Sequence, residues 1–412
     1  MQQHVLVIGY VWPEPKSSAA GTRMLQLLQL FRANDWEVTF ACPAAKSEFI
    51  FDLRQIDIAV KTIQINDASF DKFIKKLNPS IVLFDRFMME EQFGWRVAEN
   101  CPAALRILDT EDLHSLRKAR HQALKDGKEF HIDQLKNYQL AQREIASVLR
   151  CDISLLISEV EHNLLVNEFK IDTELLLYLP FMLEAPSKAQ IEALPSFEER
   201  HHFVTIGNFL HAPNRDMVLY LKKEVWTILR KKFPKAEMHI YGSYAKENSL
   251  QLNQPKEKFF VHGRAESASE VISKARILLA PLRFGAGLKG KFIDGMQNGT
   301  PCATTTIGAE GMHGNLPWNG IVSDDIETLV DEAIALYTDK NSWLQAQQNG
   351  FEILAKRYPK EIFQQQLLEK IQIILKNLET HRTQNFMGSL LQLHTTNSTK
   401  YMSKWIEEKN RK

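Results

Sequence analysis

The chain has 412 residues, which at ~150 residues per domain predicts two or three domains, and its 51 basic and 50 acidic side chains leave a formal net charge of +1. This balance excludes the strongly basic surface of a sequence-independent nucleic-acid binder, so no nucleic acid is expected as a partner. A hydrophobic fraction of 44% and a charged fraction of 25% are ordinary for globular proteins and exclude extended disorder.

The cysteines and the apolar runs indicate in which cellular compartment the protein is expected. The four cysteines are far apart and form no CxxC pair, so neither a zinc knuckle nor a disulfide framework is predicted, and a reducing cytoplasm fits best. The first residues resemble a strand and not a signal peptide, because no basic region precedes the short apolar run before Pro13. No apolar run approaches the ~20 residues of a spanning helix. Any membrane contact is therefore expected to be peripheral.

In the first half of the chain, short apolar runs alternate with helical patterns, which is typical of βαβ units around a buried parallel sheet. Strands are predicted at residues 5–10, 37–42, 60–65, 81–85, 105–109, 153–158 and 174–181. Helices are predicted from apolar residues three and four apart at residues 20–34, 70–77, 90–99 and 133–149. The polar stretch 184–200 carries two prolines and is predicted to link two domains.

The same alternation restarts after this linker. Strands are predicted at residues 203–207, 237–241, 259–262, 276–281 and 302–306, and helices at residues 214–232, 267–274 and 289–298. Residues 325–378 are helical by pattern, and the polar remainder is predicted to be a mobile tail or a docked extension. The sequence therefore predicts an α/β protein with two doubly wound, Rossmann-like halves of similar size.

The most informative segment is 281–312, in which two glycine-rich turns bracket one predicted helix. The first turn contains Gly285 and Gly287, and the second contains Gly308 and Ala309. Both turns follow parallel strands, and ligands bind at the carboxyl ends of such strands. Glycines there let backbone N–H groups approach an anion, and the helix start adds its positive dipole end.

Charged side chains accompany these turns. Arg283 and Lys289 add full positive charges, so a diphosphate is the predicted ligand. Asp294, further along the helix, is predicted to accept hydrogen bonds from both hydroxyls of a ribose. The alternative is that the glycines only serve tight turns and the lysines form a solvated helix face. Two glycine turns around one strand–helix–strand unit favour the binding site.

This segment resembles the donor-binding region of the group 1 glycosyltransferases, of the retaining family 4 type with the glycosyltransferase B fold. Supporting stretches follow in the family's order: PEPKSSAAGTR, ILDTEDLHSLRKAR, FVTIGNFLHAPNRD, HIYGS and FFVHGR. The family commonly has two glutamates separated by seven residues; Asp294 falls on the second position, and Ala286 on the first, which in the family contacts the donor sugar. A related subgroup with a GAG-x-K-x-K turn also lacks the first glutamate.

The resemblance implies the domain roles and the donor site. Residues 1–185 would form the acceptor-side domain, 186–360 the donor domain, 361–380 a helix that crosses back to the first domain, and 381–412 a basic tail. The two Rossmann-like domains would face a cleft. The donor-binding residues so implied are Gly21, Thr22, Gly207, Arg264, Arg283, Gly287, Leu288, Lys289, Asp294, Gly308 and Ala309.

Two clusters in the N-terminal half are candidates for the other side of the cleft. Gly21 and Thr22 open a helix whose N–H groups can cap a distal phosphate, with a plain helix start capped by Ser17 or Ser18 as the alternative. After the fifth strand, carboxylate and imidazole groups can hold an acceptor hydroxyl. We predict Asp112 and His114 as catalytic, with a structural histidine as the alternative. We predict Asp109 and Arg117 as acceptor-binding residues.

A basic run follows on a predicted helix, and the chain also ends on basic residues. Its members are Arg117, Lys118, Arg120, Lys125 and Lys128, and the end carries Lys409, Arg411 and Lys412. Such residues form either a solvated face, balanced by neighbouring acidic side chains, or a contact with anionic lipid.

The expected function is transfer of a hexose from a nucleoside diphosphate sugar to an acceptor hydroxyl, in envelope glycan or glycolipid (polysaccharide) biosynthesis. Retention of configuration is implied by the resemblance. No metal and no cofactor is expected, because Arg283, Lys289 and the N–H groups of the turns can offset the leaving diphosphate. The expected partners are the nucleotide-sugar donor and a glycan or lipid-linked acceptor, in the cytoplasm or at the inner face of the membrane.

Two alternatives stay open, a nucleotide-sugar epimerase of the same fold and a non-catalytic relative that binds a glycan or a partner glycosyltransferase. A Rossmann dehydrogenase is disfavoured because the first strand is not followed by GxGxxG, and a Walker-type phosphoryl transferase because no GxxxxGK[ST] string occurs.

Overall fold

A computed structural model describes residues 3–410, apart from the side chains of residues 248–249 and 394–396. Within that range the strands form two sheets. The first sheet contains β1 (His4–Ile8), β2 (Glu37–Cys42), β3 (Ala59–Thr62), β4 (Ile81–Asp85), β5 (Leu105–Asp109), β6 (Ile153–Leu156) and β7 (Leu176–Tyr178). The second contains β8 (His201–Ile206), β9 (Met238–Tyr241), β10 (Phe259–Gly263), β11 (Ala275–Ala280), β12 (Cys302–Thr304) and β13 (Gly320–Val322).

Helices alternate with these strands and then close the chain. The first half has α1 (Ala19–Ala33), α2 (Ser69–Leu77), α3 (Phe87–Asn100), α4 (His114–Lys125), α5 (Ile132–Lys136), α6 (Gln139–Arg150) and α7 (Glu159–Phe169). The second has α8 (Lys188–Glu192), α9 (Ala212–Tyr220), α10 (Trp226–Lys232), α11 (Glu247–Leu250), α12 (Ala268–Ser273), α13 (Gly290–Gln297), α14 (Thr306–Ala309), α15 (Ile326–Thr338) and α16 (Lys340–Arg357). The chain then forms α17 (Lys360–Lys376), α18 (Leu378–Gln384) and α19 (Phe386–Asn410).

Both sheets are parallel and doubly wound. Their strand orders are β3-β2-β1-β4-β5-β6-β7 and β10-β9-β8-β11-β12-β13, so the order reverses between β1 and β4 and between β8 and β11. The central strands β4 and β11 are buried along their whole length, as their apolar sequences IVLFD and ARILLA require. The predicted fold class, two doubly wound Rossmann-like domains, is confirmed. In such sheets the crevice for a ligand lies at the carboxyl ends beside the reversal.

Two predicted elements differ from the structure, and one strand was missed. The helix predicted at 133–149 is two helices, because the chain turns at Asn137, whose side-chain amide donates to the Asp133 carbonyl at 3.1 Å. The helical stretch 325–378 is interrupted at Asp339, which caps α16 through a hydrogen bond from the Ser342 N–H, and again near Pro359. The strand β13 was not predicted, because three half-exposed residues carry no periodic signal.

The chain crosses between the two domains twice, and the two crossings are hydrogen-bonded to each other. The Leu183 N–H donates to the Tyr358 carbonyl at 2.8 Å, and the Lys360 N–H donates to the Leu183 carbonyl at 3.0 Å. Beyond this point α17 buries Leu367 and Ile371 in the apolar core of the first domain. The crossings lie near the boundaries at 185 and 360, and the exact boundaries stay a prediction.

The tail predicted as mobile or docked is helical and packs on the first domain, where α19 contacts α3 and α6. Of the three basic residues predicted at the end of the chain, Lys409 lies in the last turn of α19, whereas Arg411 and Lys412 lie outside the described residues. Across the described part of the chain, no helix is long and apolar enough to span a bilayer.

Candidate active site between the two domains

The turn after β11 lies directly against the first domain. Gly287 has a φ of 62°, and a Cβ atom at this residue would lie 2.9 Å from the Asp112 Cβ and 3.3 Å from the Ile157 Cγ2. At the start of α13, a Cβ on Gly290 would lie 2.5 Å from the Ala19 Cβ. Both glycines are therefore required by the close approach of the other domain.

The start of α13 places a buried lysine, Lys289, beside a partly buried one, Lys291. Its N-cap residue, Lys289, makes no side-chain cap hydrogen bond. The Lys289 ammonium donates to the Gly287 carbonyl at 2.9 Å, and burial lowers the pKa of Lys289 to about 8. The Lys291 ammonium donates to the Asn214 side-chain oxygen at 2.7 Å, and burial lowers the pKa of Lys291 to about 7. Cations at an uncapped helix start form a site suited to an anion.

Other predicted donor residues surround this helix start. Asp294 lies within one turn of Lys291, and burial raises the pKa of Asp294 to about 6 although Lys291 opposes the shift. Leu288 is buried in the turn. Its contact with a donor and that of Asp294 with a ribose stay predictions. Ala286 packs against the apolar core of the first domain, so a glutamate at that position would be buried there.

Gly207, Gly308 and Ala309 line the turns after β8 and β12. A Cβ on Gly207 would lie 2.7 Å from the Asn214 side chain, and one on Gly308 would lie 1.9 Å from the Thr304 hydroxyl oxygen. The Gly308 N–H donates to the Thr305 hydroxyl at 3.2 Å, and the Ala309 N–H donates to the Thr305 carbonyl at 3.1 Å. These turns are tightly packed, and their contact with a donor stays a prediction.

Asp112, His114 and Arg117 meet at the first domain's side of the cleft. The Arg117 Nε donates to Asp112 Oδ2 at 2.6 Å, and the His114 Nε2 lies 3.3 Å from Asp112 Oδ1. Burial alone would raise the pKa of Asp112, but Arg117 and His114 hold this pKa well below its usual range. Burial lowers the pKa of His114 to about 4, against the opposing effect of Asp112. At neutral pH an ionised carboxylate therefore faces a neutral imidazole.

His211 is a cleft residue that was missed. It precedes α9 on the donor side, and its pKa is lowered to about 4, first by burial and then by Arg117, while Asp112 opposes the shift. The two domains thus bring a second neutral imidazole into the field of Asp112. The sequence could have indicated His211 through its position in the turn after β8, because the order of the second sheet reverses beside this strand and ligands bind there.

Two residues of the basic run, Arg117 and Arg120, bridge the domains or line the cleft, whereas Lys118, Lys125 and Lys128 are exposed as a solvated face requires. Contact of these lysines with anionic lipid stays a prediction. Arg120 donates to both carboxylate oxygens of Glu310 at 2.7 Å and to the Gly285 carbonyl at 2.9 Å. The neighbouring His121 ring stacks on Phe284 at 4.1 Å. Arg117 is held by Asp112 as described. These arginines therefore serve the interface between the domains.

Glu161 is a second missed residue. Its Oε1 accepts hydrogen bonds from the Gly287 N–H at 2.8 Å and from the Leu113 N–H at 3.0 Å, so one carboxyl group ties the glycine turn to the first domain. Its Oε2 is buried without a hydrogen-bond partner. Burial, with Asp112 adding to it, raises the pKa of Glu161 to about 8.

Three predicted site residues on the first domain are corrected. Asp109 is fully buried and accepts from the Arg23 guanidinium at 2.9 Å, so it is a structural ion pair and not an acceptor contact. The Gly21 N–H donates to the Ser18 hydroxyl at 3.1 Å, and the Thr22 hydroxyl donates to the Pro15 carbonyl at 3.1 Å. The helix start α1 is therefore capped by its own chain, which was the alternative interpretation.

Two predicted donor arginines have partners within the protein, and their contact with a donor stays a prediction. Arg283 is exposed and donates its Nε to Asp216 at 2.9 Å, so its charge is paired outside the turn. Arg264 lies over the Phe49 ring of the first domain at 4.3 Å. Beside it, the Tyr244 hydroxyl donates to the Glu14 carboxylate at 2.8 Å, which forms a further bridge between the domains.

A pair of buried carboxyl groups lies where the order of the first sheet reverses. Asp85 ends β4 and Glu111 follows β5, and each has one buried oxygen without a hydrogen-bond partner. Burial raises the pKa of Asp85 and raises that of Glu111 to about 8, with Arg86 opposing both shifts. Among the side chains that the structure describes, no group of three or more histidines, cysteines, aspartates or glutamates is arranged to hold a metal.

We predict that Glu161→Gln stabilises the protein more at pH 8 than at pH 5. In the unfolded chain the pKa of this carboxyl group is ~4.3, whereas in the folded protein its pKa is raised to about 8 and it keeps its proton up to that pH. Within that window ionisation favours the unfolded chain, so wild-type stability falls as the pH rises. The glutamine keeps the acceptor oxygen without the charge.

The measurement is the difference in unfolding free energy between variant and wild type at the two pH values. A tenfold change in an ionisation constant corresponds to ~1.4 kcal/mol, and the difference should grow by at least about that amount. Glu379→Gln, at an exposed position, is the matched control. A difference that does not change with pH would contradict the buried, proton-holding carboxyl group.

Comparison with known proteins adds the family. Residues 200–339, which include β8 to β13, match the family model described as glycosyl transferases group 1. A search of curated protein sequences found no match.

Solved structures share the two-domain arrangement. Sucrose-phosphate synthase from Thermosynechococcus elongatus is 14% identical, with a TM-score of 0.64 over 91% of this chain and 100% of that one. HepE from Anabaena, bound to UDP, is 10% identical, with a TM-score of 0.66 over 90% and 100%. A mutant of S. aureus TarM in complex with fondaparinux, alpha-GlcNAc-glycerol and UDP is 14% identical, with a TM-score of 0.56 over 74% of this chain and 58% of that one.

At these identities the solved structures show the fold, and the family model adds the pattern of the second domain. The resemblance to the group 1 glycosyltransferases is thereby confirmed: residues 200–339 match that family, and the chain has its two-domain glycosyltransferase B fold.

Proposed function

We propose that the protein transfers a sugar from a nucleoside diphosphate sugar to an acceptor hydroxyl. The observation that carries this proposal is the pair of lysines, Lys289 buried and Lys291 partly buried, at the uncapped start of α13 in the cleft. Desolvated ammonium groups are stabilised by an anion, and the N–H groups of the helix start point the same way. A diphosphate supplies two adjacent negative groups for this site.

A uridine diphosphate sugar is the donor we propose, because HepE and the TarM mutant were both solved with UDP. The two lysines and the helix start would offset the leaving diphosphate without a metal or cofactor. Asp294, on the same helix, would accept the ribose hydroxyls. Retention of configuration is proposed from the family resemblance.

The acceptor would enter from the first domain. Asp112 is ionised beside the neutral imidazole of His114, whose Nε2–H donates to it in the tautomer that this geometry favours. The remaining His114 nitrogen, Nδ1, is then free of a proton and can accept one from a hydroxyl. The unpartnered oxygens of Asp85 and Glu111 would bind further hydroxyl groups. A glycan or a lipid-linked glycan offers such hydroxyls.

The donor site predicts a difference between two residues that the sequence alone treated alike. Lys289→Ala should weaken UDP binding by ~1.5–3 kcal/mol, the cost of one charge-assisted hydrogen bond, which corresponds to about 10- to 150-fold in Kd. Arg283→Ala should leave the Kd within about twofold, since that charge is paired with Asp216. Titration calorimetry with UDP measures both. Equal effects of the two variants would place the phosphate elsewhere.

Binding of UDP should also be linked to proton uptake. The pKa values of Lys291 and Lys289 lie at about 7 and about 8 in the free protein, and a bound anion raises them. At pH 8.5 both lysines are largely neutral before binding, so UDP binding takes up protons and the affinity falls as the pH rises.

Calorimetry at pH 8.5 in buffers of different ionisation enthalpy measures the number of protons taken up. We expect this number to decrease in Lys291→Met. An affinity that stays constant from pH 7 to pH 9, with no uptake, would contradict the linkage.

If the protein is a glycosyltransferase that needs no metal, we expect it to turn over a UDP-sugar at a rate that the metal chelator EDTA does not change. Asp112→Asn and His114→Ala should each lower kcat by about 10²- to 10⁴-fold, the usual contribution of acid–base groups, without changing the UDP Kd. His131→Ala, at an exposed helix start, is the control. Release of UDP and the sugar product are followed by chromatography. Tight UDP binding without turnover of any donor would favour the non-catalytic relative, and conversion of the donor into its epimer would favour the epimerase.

A further inference from the structure

The last helix carries an outward apolar face. Of the eighteen exposed large hydrophobic side chains in the described part of the chain, seven lie on α19: Phe386, Met387, Leu390, Leu393, Tyr401, Met402 and Trp405. Phe386, Leu393, Tyr401 and Trp405 each expose at least 60% of their surface. Their spacing places Phe386, Leu390, Leu393 and Tyr401 on one side of the helix. Such a patch marks an interaction surface in a folded protein.

The opposite face of α19 is fixed to the first domain, so the apolar face has one orientation. The buried guanidinium of Arg96, on α3, donates to the Ser403 hydroxyl at 2.9 Å and pairs with Glu407. The Lys400 ammonium donates to Glu99 at 2.8 Å. Polar contacts thus hold the inner face, while the apolar side chains project outward.

The helix approaches the first domain closely at its other end as well. A Cβ on Gly388 would lie 2.1 Å from the Leu149 carbonyl oxygen, so this position requires glycine. The Asn385 side-chain amide donates to the same carbonyl at 2.8 Å. The helix is therefore fixed to the first domain near both of its ends, which sets the direction of its outward apolar side chains.

The charged residues near this apolar face indicate what kind of partner it binds. Lys400 and Glu407 are used in docking, whereas Lys404, Glu408 and Lys409 are exposed, so the exposed charges near the end of the helix have a net value of +1. The Lys409 ammonium lies over the Trp405 ring at 5.2 Å. Tyrosine and tryptophan mixed with lysine are typical of helices that lie in a membrane interface, where the rings sit at headgroup depth and the ammonium groups reach the phosphates. The exposed apolar residues form two groups, 386–393 and 401–405, which are separated by the polar stretch 394–400. Together they extend over ~29 Å at 1.5 Å per residue. We propose that α19 lies on the surface of a bilayer that contains anionic lipid.

This surface belongs to the domain that would bind the acceptor. α19 packs on α6, and α6 packs on α4, whose first residue is His114. If the proposed function holds, a lipid-linked acceptor would reach the cleft from the same domain that contacts the bilayer. The bilayer contact itself does not depend on the proposed function.

The test is cosedimentation of the full chain with vesicles of phosphatidylcholine that contain phosphatidylglycerol. We expect wild-type protein to bind at low salt and to bind more weakly as the salt rises, because the lysine contribution is screened. Leu393→Glu combined with Trp405→Glu should lower the partition coefficient at least about tenfold, since two apolar side chains no longer enter the interface. Lys404→Glu combined with Lys409→Glu should lower binding to the anionic vesicles and leave weak binding to phosphatidylcholine alone unchanged.

Leu344→Glu, at an exposed apolar position on the second domain, is the matched control and should bind as wild type does. Circular dichroism and the UDP Kd report whether each variant keeps its fold and its cleft, so failure of the membrane proposal is distinguishable from failure of the proposed function. Absence of wild-type binding at low salt, or unchanged binding of the Leu393 and Trp405 variant, overturns the proposal. A lipid-free dimer in sedimentation velocity that Leu393→Glu dissociates would assign the face to a second copy of the chain instead, and would also overturn it.

Discussion

The close contact between the glycine turn and the first domain is the constraint on which the cleft depends. Gly287 approaches Asp112, and Gly290 approaches Ala19, more closely than any side chain would allow. Lys289 and Glu161 are buried beside this contact, and electrostatic interactions become strong in such surroundings. Burial is accordingly the largest cause of the pKa shifts of Lys289, His114 and Glu161.

Buried charges of both signs stabilise this contact without a ligand. Glu310 accepts two hydrogen bonds from Arg120 and lies 3.9 Å from the Lys289 ammonium. Its carboxylate therefore partly neutralises the positive charge of Lys289, to which a diphosphate would bind. Glu161 accepts the Gly287 N–H through a carboxyl group that holds its proton, so it adds a hydrogen bond without a charge. Paired charges cost less to bury than isolated ones, which explains how so many ionisable groups are buried at this contact.

The sequence predicted the fold well because the fold depends on local patterns. β2, β4 and β5 begin and end at the predicted residues, since short apolar runs between polar turns carry this information. The site was predicted less well, because partners distant in the chain decide which groups are available. Asp109 is paired with Arg23, 86 residues away, and Glu161 lies 126 residues from the Gly287 N–H that it accepts. No spacing in the sequence indicates such pairs, whereas the glycine turn and Lys289 were visible because one short segment holds them.

The two chain crossings divide the molecule into two bodies, and the end of the chain belongs to the first body although it follows the second domain in the sequence. Because Leu183 is hydrogen-bonded to both Tyr358 and Lys360, the two covalent connections form a single pivot. The last three helices lie beyond this pivot and pack on the first domain, so they belong to the same body. A rotation about this pivot would displace the second domain alone relative to that body. If the first body rests on a fixed support, the donor-side domain alone has to be displaced for each exchange of substrate and product, and the acceptor side stays in place.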